Sequence, residues 1–577
     1  MNGMLHPGAW RAGLAVAGLA LLCLALYGPP AARTPFFTKG EPREALVVRD
    51  IVDRGGWVLP HRPSALGRTI ASKPPFFHWV AALVSRAAGG VTELTVRAPS
   101  VVFASAAVVA TCVAAAPLLG LGAAFTGAVV LATTFEWMNA AQSARVDATL
   151  AALMTIALLI FHRGFVGDGL SRRAALAAYA CLATAALTKG PVGFLLPALI
   201  VGAALVVGGR LRLLGRLHPL LGAAVIVTVV GGWYLAGWIV GGDPFFERHV
   251  LKENVFRFLG ASRLASGHAH ALTYYLYIFP LGFLPWTPLL AGALAAALRS
   301  RAARRDPAVL FLLVWVGVTF GFYSAASAKR GVYLIALYPG AALLCGWWLA
   351  GLGAEGEPGR WVRTRPARIA ALALMAVTAL PLLLILAEWL GVGALDLLGP
   401  LMSRRDRENL PLVQGVIRAY APLVALVAAA IPAALALGFR ALGQGRWRAA
   451  FAAGTALASA LWILVFGIFR PAVAERRSLE PFMASTARAT AGAPLYFHPP
   501  TFDFSAAFYA PGEVSFLPPE GADGAYVLIW DTDAAELGSA ERAALEILAT
   551  SAGTDPKGRR HMHLARLRAD PDRGSGG

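Results

Sequence analysis

The sequence predicts an all-α polytopic membrane protein with a small α/β domain at its C-terminus. Of its 577 residues, 57% are hydrophobic and 14% are charged, whereas a soluble domain carries about 25% charged residues. Apolar runs of membrane-spanning length recur over the first 470 residues, and the composition then changes. We therefore expect a transmembrane domain over 1–470 and a second domain over 471–577.

About thirteen apolar runs are long enough to cross a bilayer, which takes roughly 20 residues. The first run follows Arg11 and could be interpreted as a cleaved signal peptide, but its length favours a retained span. The runs lie near 9–28, 98–117, 120–138, 147–162, 174–188, 190–208, 219–240, 272–297, 308–324, 331–351, 368–389, 418–438 and 449–469.

Every second loop between these runs is rich in arginine. The net charge of +19 is spread over such loops, which is typical of topology signals and argues against a nucleic-acid partner. The basic loops contain Arg163, Arg210, Arg299, Arg360 and Arg440. The positive-inside rule then predicts a cytoplasmic N-terminus and a periplasmic C-terminal domain.

The first outward loop, about 29–97, is long and carries mixed charge. Its stretch "REALVVRDIVDRGGW" places Ala45, Val48 and Ile51 on one helical face. This pattern predicts an amphipathic helix that lies on the membrane interface. Glu44, on the same helix, is expected to face water or lipid headgroups.

Short strands and one helix are predicted beyond residue 470. "APLYFHP", "GAYVLIWD" and "HMHLARLR" are typical of strands, and "SAERAALEILATSAG" is typical of a helix ended by glycine. The last residues, "DPDRGSGG", are predicted to be disordered.

Five groups of polar residues stand at the outward ends of the predicted helices. A charged residue at membrane depth indicates a functional role, because the desolvation of its charge is costly. Lysine and arginine bind phosphate, and a carboxylate beside them can act as a general base. We therefore expect a cavity that binds a lipid-linked phosphate and an incoming nucleophile. The groups are Glu41 with Arg43 and Glu44; Lys73; Arg145 with Asp147; Lys189; and Lys329 with Arg330 and Tyr333.

Each group also has a plainer interpretation. Arg145 could simply pair with Asp147, Lys189 could mark a helix end, and the remaining charges could belong to solvated loops. His268 and His270 form a candidate metal pair, although two histidines in a loop are often only solvated. The agreement of all five groups on one face of the membrane favours the functional interpretation.

Six motifs occur in order between about residues 30 and 350. They are "GEPREALVVRDIVDRGGWVLPHRP", "SKPPFFHWVAALVSRAAGGVTELTVRAPS", "ARVDATL", "LTKGPVGFLLP", "FLPWTPLL" and "SAKRGVYLIALYPG". In this order they resemble the motifs of bacterial GT-C glycosyltransferases, in the branch that contains the lipid A aminoarabinose transferases and the dolichyl-phosphate-mannose–protein mannosyltransferases.

The resemblance implies an inverting transfer of a sugar from a polyprenyl (undecaprenyl) phosphate donor on the periplasmic face of the inner membrane. The acceptor would be lipid A, a protein or another envelope glycan, and membrane lipids would surround the enzyme. No cofactor is required, while a divalent metal remains an open alternative.

The resemblance also implies roles for individual residues. The base would be Glu41 or Asp147, because the family's usual Asp-Glu pair reads Gly40-Glu41 here. The acidic residue that precedes the phosphate-binding lysine, a metal ligand in some relatives, is Ser72 in this chain. This replacement argues against a bound metal. The donor phosphate would be held by Arg43, Lys73, Lys329, Arg330 and Tyr333, with Arg145 and Lys189 lining the site.

Two other classes of protein remain open from the residues alone. A transporter or flippase for a polyprenyl-linked lipid would also need a cationic cavity, although internal repeats typical of transporters are not evident. A non-catalytic membrane scaffold would not need cations and carboxylates gathered on one side.

Overall fold

The computed structural model describes residues 7–64, 67–255, 270–352, 365–402, 407–516, 524–555 and 558–568. Within these ranges, nine helices are long and apolar enough to cross a membrane, or up to eleven spans if each of two bent helix pairs counts as one. The chain is a multi-pass membrane protein, as predicted. The C-terminal stretch "DPDRGSGG", predicted to be disordered, lies outside the described residues.

Among the described residues, the regular structure of the N-terminal half is helical apart from one small hairpin. In that hairpin β1 (His61–Ser64) pairs antiparallel with β2 (Gly67–Ile70). The helices are α1 (Pro7–Arg33), α2 (Gly40–Arg54), α3 (Phe76–Ala87), α4 (Glu93–Leu119), α5 (Leu121–Ala132), α6 (Phe135–Ala141), α7 (Val146–Val166), α8 (Arg172–Lys189), α9 (Val192–Val207), α10 (Pro219–Ile226) and α11 (Gly232–Phe246).

The second half continues the bundle and then enters the C-terminal region. Its membrane part includes a 3₁₀ segment, Gly331–Leu337, and a π-helical segment, Val465–Phe469. The helices are α12 (Tyr274–Gly282), α13 (Thr287–Arg299), α14 (Arg301–Arg305), α15 (Pro307–Ala325), α16 (Tyr338–Gly351), α17 (Arg365–Trp389), α18 (Ala394–Leu398), α19 (Leu410–Ala419), α20 (Ala421–Gly443), α21 (Trp447–Leu464), α22 (Arg470–Arg477), α23 (Glu480–Ala489), α24 (Phe504–Tyr509), α25 (Asp531–Glu536) and α26 (Ser539–Ala543).

Each predicted apolar run coincides with a helix, with helical segments joined end to end, or with a bent pair of helices. The pairs are α5 with α6, bent by 66°, and α12 with α13, bent by 114°. The helix α8 carries three charges in its 18 residues, and α9 has only 16 residues. Neither therefore meets the criteria of length and composition for a span, and the number thirteen stays a prediction.

Small residues let the central helices approach closely. A Cβ added at Gly346 on α16 would stand 2.1 Å from the carbonyl oxygen of Ala123 on α5. One added at Gly127 would stand 3.0 Å from the carbonyl oxygen of Ala342. Glycine at these positions brings the two backbones together, as is common between helices in membranes.

The C-terminal region folds around a five-stranded sheet of order β4-β3-β5-β7-β6. The strands β3, β4 and β5 run parallel, while β7 pairs antiparallel with β5 and β6. The predicted boundary at residue 470 falls inside a candidate span, Arg448–Ala489, so the division into domains stays a prediction. The strands are β3 (Leu495–Phe497), β4 (Ser515–Phe516), β5 (Tyr526–Trp530), β6 (Leu545–Thr554) and β7 (His561–Leu567).

The long helix predicted for "SAERAALEILATSAG" is wrong. Only the five residues of α26 are helical, and the chain continues as the edge strand β6. Backbone pairing with β7, interrupted by two register shifts, holds Leu545 to Thr554 in the sheet. Tertiary pairing therefore overrides the helical propensity of its alanine, leucine and glutamate.

The apolar face of α2 is covered by protein rather than by lipid. Ala45, Val48 and Ile51 are fully buried in a core that they share with Phe508 of α24. The Tyr509 hydroxyl accepts a hydrogen bond from the Phe36 amide at 2.8 Å and donates one to Glu93 at 2.6 Å. The helix is amphipathic, as predicted, but its partner is the C-terminal region.

Candidate active site

A cavity of about 910 Å³ opens where several helices are interrupted. Its size falls within the range of small-molecule sites, about 300–1,000 Å³. Charged and apolar side chains share its wall. The lining residues are Phe37, Thr38, Glu41, Phe135, Glu136, Asn139, Ala140, Ser143, Arg145, Asp147, Tyr274, Ile278, Leu281, Gly282, Arg330, Gly331, Val332, Tyr338, Val465, Phe466, Phe469, Arg470 and Val473.

Breaks in the helices position these side chains. Both bent pairs contribute one member to the wall, α6 and α12. The start of α2, the start of α7, the 3₁₀ segment and the π-helical segment supply about half of the rest. Irregular backbone at membrane depth is tolerated where it lines a cavity, so the interrupted helices and the cavity belong together.

Glu41 lies at the cavity wall but is itself almost completely buried, with 1% exposure. One carboxylate oxygen accepts from the Arg97 guanidinium at 2.8 Å and from the Ala144 amide at 3.0 Å. Burial by itself raises the pKa of Glu41, but Arg97 and the Ala144 amide outweigh it, and the pKa is lowered from its ordinary value of 4.5. Glu41 is therefore held as a buried carboxylate.

Gly40 makes room for the Arg145 guanidinium. A Cβ at position 40 would lie 2.0 Å from Arg145 Nη2, so any side chain there would displace the guanidinium. Within the described part of the chain, Arg145 makes no ion pair, and it faces the cavity. The position at which the resemblance implies an acid is thus adjacent to a cation in this chain.

Asp147 pairs with Lys189 rather than with Arg145. The Lys189 ammonium also lies 4.1 Å from the centre of the Tyr333 ring, close enough for a cation–π interaction. Lys73 is half-buried and interacts electrostatically with Asp147. The structure therefore brings four of the sequence-predicted groups together around Asp147.

Three charged residues that bear on the cavity were not predicted from the sequence. Arg97 anchors Glu41, while Glu136 and Arg470 line the cavity directly. Glu136 in "TTFEWMN" interrupts an apolar run, and Arg470 in "GIFRPAV" directly follows one. A search for every charged residue within or next to an apolar run would have found both, because charge at membrane depth indicates function.

Some predicted phosphate ligands lie away from the cavity lining. Arg43 Nε donates to Glu44 at 3.1 Å, and Glu44 also contacts His78 at 2.8 Å. The prediction that Glu44 faces water or headgroups is wrong, because its side chain is buried between these two partners. Lys329 is buried and donates to the backbone oxygens of Ala326, at 2.6 Å, and His270.

No described group of three or more histidine, cysteine, aspartate or glutamate side chains is arranged to hold a metal ion. His270 stacks on the Tyr274 ring, with 4.2 Å between ring centres. His268, the other candidate ligand, lies outside the described residues.

Known proteins resemble the chain in sequence. The family model described as dolichyl-phosphate-mannose-protein mannosyltransferase matches residues 72–234. An undecaprenyl phosphate-α-4-amino-4-deoxy-L-arabinose arabinosyl transferase from Yersinia enterocolitica is 28% identical over 331 residues, or 56% of this chain and 57% of the relative. One from Aeromonas salmonicida is 27% identical over 340 residues, covering 56% and 58%. The matched region thus spans about three fifths of each relative.

A solved structure matches nearly the whole chain. The crystal structure of ArnT from Cupriavidus metallidurans bound to undecaprenyl phosphate covers 97% of this chain and 98% of its own, with a TM-score of 0.73 at 19% identity. The chain has the GT-C fold. The apo structure of the same protein gives a TM-score of 0.74. The resemblance to GT-C glycosyltransferases of the aminoarabinose transferase and mannosyltransferase family, predicted from six motifs, is confirmed. The shared fold includes the C-terminal region.

Proposed function

We propose that this GT-C protein is a membrane glycosyltransferase that moves a sugar from a polyprenyl phosphate to an envelope acceptor. The observation that carries the proposal is the cavity, whose wall combines carboxylates and arginines with apolar side chains. The phosphosugar of a lipid-linked donor needs the charged side chains, and its lipid chain needs the apolar ones. The names of the sequence relatives favour an undecaprenyl phosphate donor.

The proposed reaction is a displacement at the anomeric carbon. The acceptor oxygen or nitrogen forms a bond to that carbon, while the bond from the carbon to the phosphate oxygen breaks. The phosphate leaves with the electron pair, and a cavity carboxylate takes the acceptor proton. Attack from the opposite face would invert the configuration of the sugar.

Cations near the cavity suit the departing phosphate. Arg145 and Arg330 line the cavity, and preorganised cations stabilise negative charge as it develops. Lys73 stands close enough to Asp147 to interact with it, and the resemblance assigns it to the donor phosphate. We therefore assign binding of the donor phosphate to Arg145, Arg330 and Lys73. The contacts of Arg43 and Lys329 with other parts of the protein favour positioning roles for both.

The proposed orientation follows the arginine-rich loops. The cavity would open to the periplasm of a bacterial inner membrane, with the N-terminus in the cytoplasm and the C-terminal region outside. The acceptor would be lipid A, a protein hydroxyl or another envelope glycan. Because the donor is already activated, the proposed transfer requires no cofactor.

The experiment that tests this function compares envelopes by mass spectrometry. We expect cells that carry the gene to contain a lipid or glycoprotein with one additional sugar, absent from cells without the gene. Complementation with Lys73→Ala should leave that product missing at equal protein levels, because a charged hydrogen bond to phosphate contributes about 1.5–3 kcal/mol. Identical envelopes in all three strains would contradict the proposal.

A further inference from the structure

Three carboxylates among the described residues line the cavity, and they differ in how their oxygens are engaged. Glu41 accepts from Arg97 and from the Ala144 amide. Asp147 forms an ion pair with Lys189. Glu136 accepts one long hydrogen bond, 3.4 Å from Asn139 Nδ2, and makes no ion pair with any described residue.

This difference decides which carboxylate can accept a proton. A general base must offer a lone pair within hydrogen-bond reach of the proton that it removes. Glu41 and Asp147 already direct oxygens at a guanidinium and an ammonium, and protonating either would weaken a buried ion pair. Glu136 has oxygens that are not committed in this way.

We propose that Glu136 is the catalytic base toward the acceptor, and that Glu41 and Asp147 are positioning residues. The inference rests on the proposed function. As the acceptor oxygen or nitrogen bonds to the anomeric carbon, its proton passes to Glu136, and the phosphate departs with the electrons of the broken bond. The neutral Glu136 then returns its proton to solvent through the open cavity.

The surroundings of Glu136 fit this role. A Cβ added at Gly282 would lie 3.3 Å from Glu136 Cβ and 2.3 Å from the Tyr338 hydroxyl. Because position 282 is glycine, α12 can lie close to Glu136 and to Tyr338. Glu136 is half-buried on the short helix α6, directly after the 66° bend, and it faces the cavity.

The charged groups around Glu136 allow an acceptor to approach it. Arg470 is turned toward Gln142, at 3.3 Å, and Ser143, at 3.4 Å. Arg145 rests against Gly40. Neither guanidinium forms an ion pair with Glu136, so both can balance charge at a distance while the carboxylate stays free. The titratable and charged groups that interact with Glu136 are Asp147, Arg145, Arg470, Tyr274 and Tyr338.

Substitution at Glu136 tests the inference in a purified transfer assay with an undecaprenyl phosphate-linked sugar. Glu136→Gln keeps the shape of the side chain but cannot take a proton, so kcat should fall about 100-fold or more while KM for the donor changes little. The acid limb of the kcat–pH profile should be lost as well. Glu136→Asp, which keeps the carboxylate, should recover a measurable part of the rate.

Matched variants separate the outcomes. If Glu136→Gln turns over normally while Asp147→Asn is inactive, Asp147 is the base and the inference is overturned, although the proposed function stands. Equal and low activity of Glu136→Gln and Glu136→Asp, with no change in the pH profile, would also overturn it by indicating a structural role. If the wild-type protein transfers no sugar, the proposed function fails, and the inference fails with it.

Discussion

Arg97 and Glu41 form a buried ion pair beside the cavity. Their side chains are 0% and 1% exposed. The Arg97 guanidinium also donates to the backbone oxygens of Ala31, at 2.9 Å, and Thr34, and it lies 4.9 Å from the centre of the Phe36 ring. One side chain on α4 thereby connects the end of α1, the following loop and the start of α2.

Breaking this pair should destabilise the protein strongly. Arg97→Met leaves Glu41 as a buried charge without its guanidinium, which typically costs about 3–5 kcal/mol. Thermal unfolding in detergent should show a large loss of stability. The control is Arg173→Met on the exposed start of α8, which should change stability by about 0.5 kcal/mol or less. Equal stability of the two variants would contradict the role of the pair.

The same pair predicts a dependence of stability on pH. Because the pKa of Glu41 is lower in the folded protein than its ordinary value of 4.5, the pair stabilises the fold fully above that value. The contribution is lost as the pH falls through the lowered pKa. Stability of the wild type should therefore decline below about pH 4.5 more steeply than that of Glu41→Gln.

At the residue scale, the sequence predicted part of the cavity wall. Glu41, Arg145, Asp147 and Arg330 were named from motifs and do line the cavity. The partners of those residues could not be inferred, because the pairing of Glu41 with Arg97 joins positions 56 residues apart. Only the folded chain distinguishes an engaged carboxylate from one that is free.

At the element scale, apolar length located the helices, but not where they bend. The bend between α5 and α6 falls inside one predicted run, and that bend turns Glu136 toward the cavity. Length and hydropathy are properties of a window of residues, and they average over a local break. The strand β6 was mispredicted for a related reason, because helical propensity belongs to the segment alone, whereas its pairing with β7 depends on the folded sheet.

What covers the apolar face of the helix α2 could not be predicted from the sequence either. Its periodicity correctly predicted one apolar face. Periodicity alone does not say whether lipid or protein covers that face, and here residues of the C-terminal region do so. The first outward loop is consequently held by two parts of the protein. Arg97 of the helical bundle contacts it, and so does Tyr509 of the C-terminal region.

The orientation of the helices gives a prediction at this scale. The arginine-rich loops should lie in the cytoplasm, because positive charge opposes translocation. A reporter that is active only in the periplasm should be active when fused after residue 475 and silent when fused after Arg305. The reverse pattern would place the cavity on the cytoplasmic side and contradict the proposed orientation.

At the scale of the whole molecule, the GT-C fold and the cavity support one account. Interrupted helices of the bundle enclose the cavity, and the C-terminal region packs on α2, which carries Glu41 in the cavity wall. The fold class was predictable because composition and six ordered motifs are distributed over the chain. The shape of the cavity was not, because it depends on contacts between distant segments.

Transfer by the purified protein tests the central claim most directly. The protein would be reconstituted in vesicles that contain an undecaprenyl phosphate-linked sugar, with extracted envelope lipids and proteins as acceptors, and the lipids would be followed by mass spectrometry. The account predicts that free undecaprenyl phosphate appears together with a glycosylated acceptor, and that Lys73→Ala produces neither. Movement of the intact donor across the membrane without cleavage would contradict the account and identify a carrier instead.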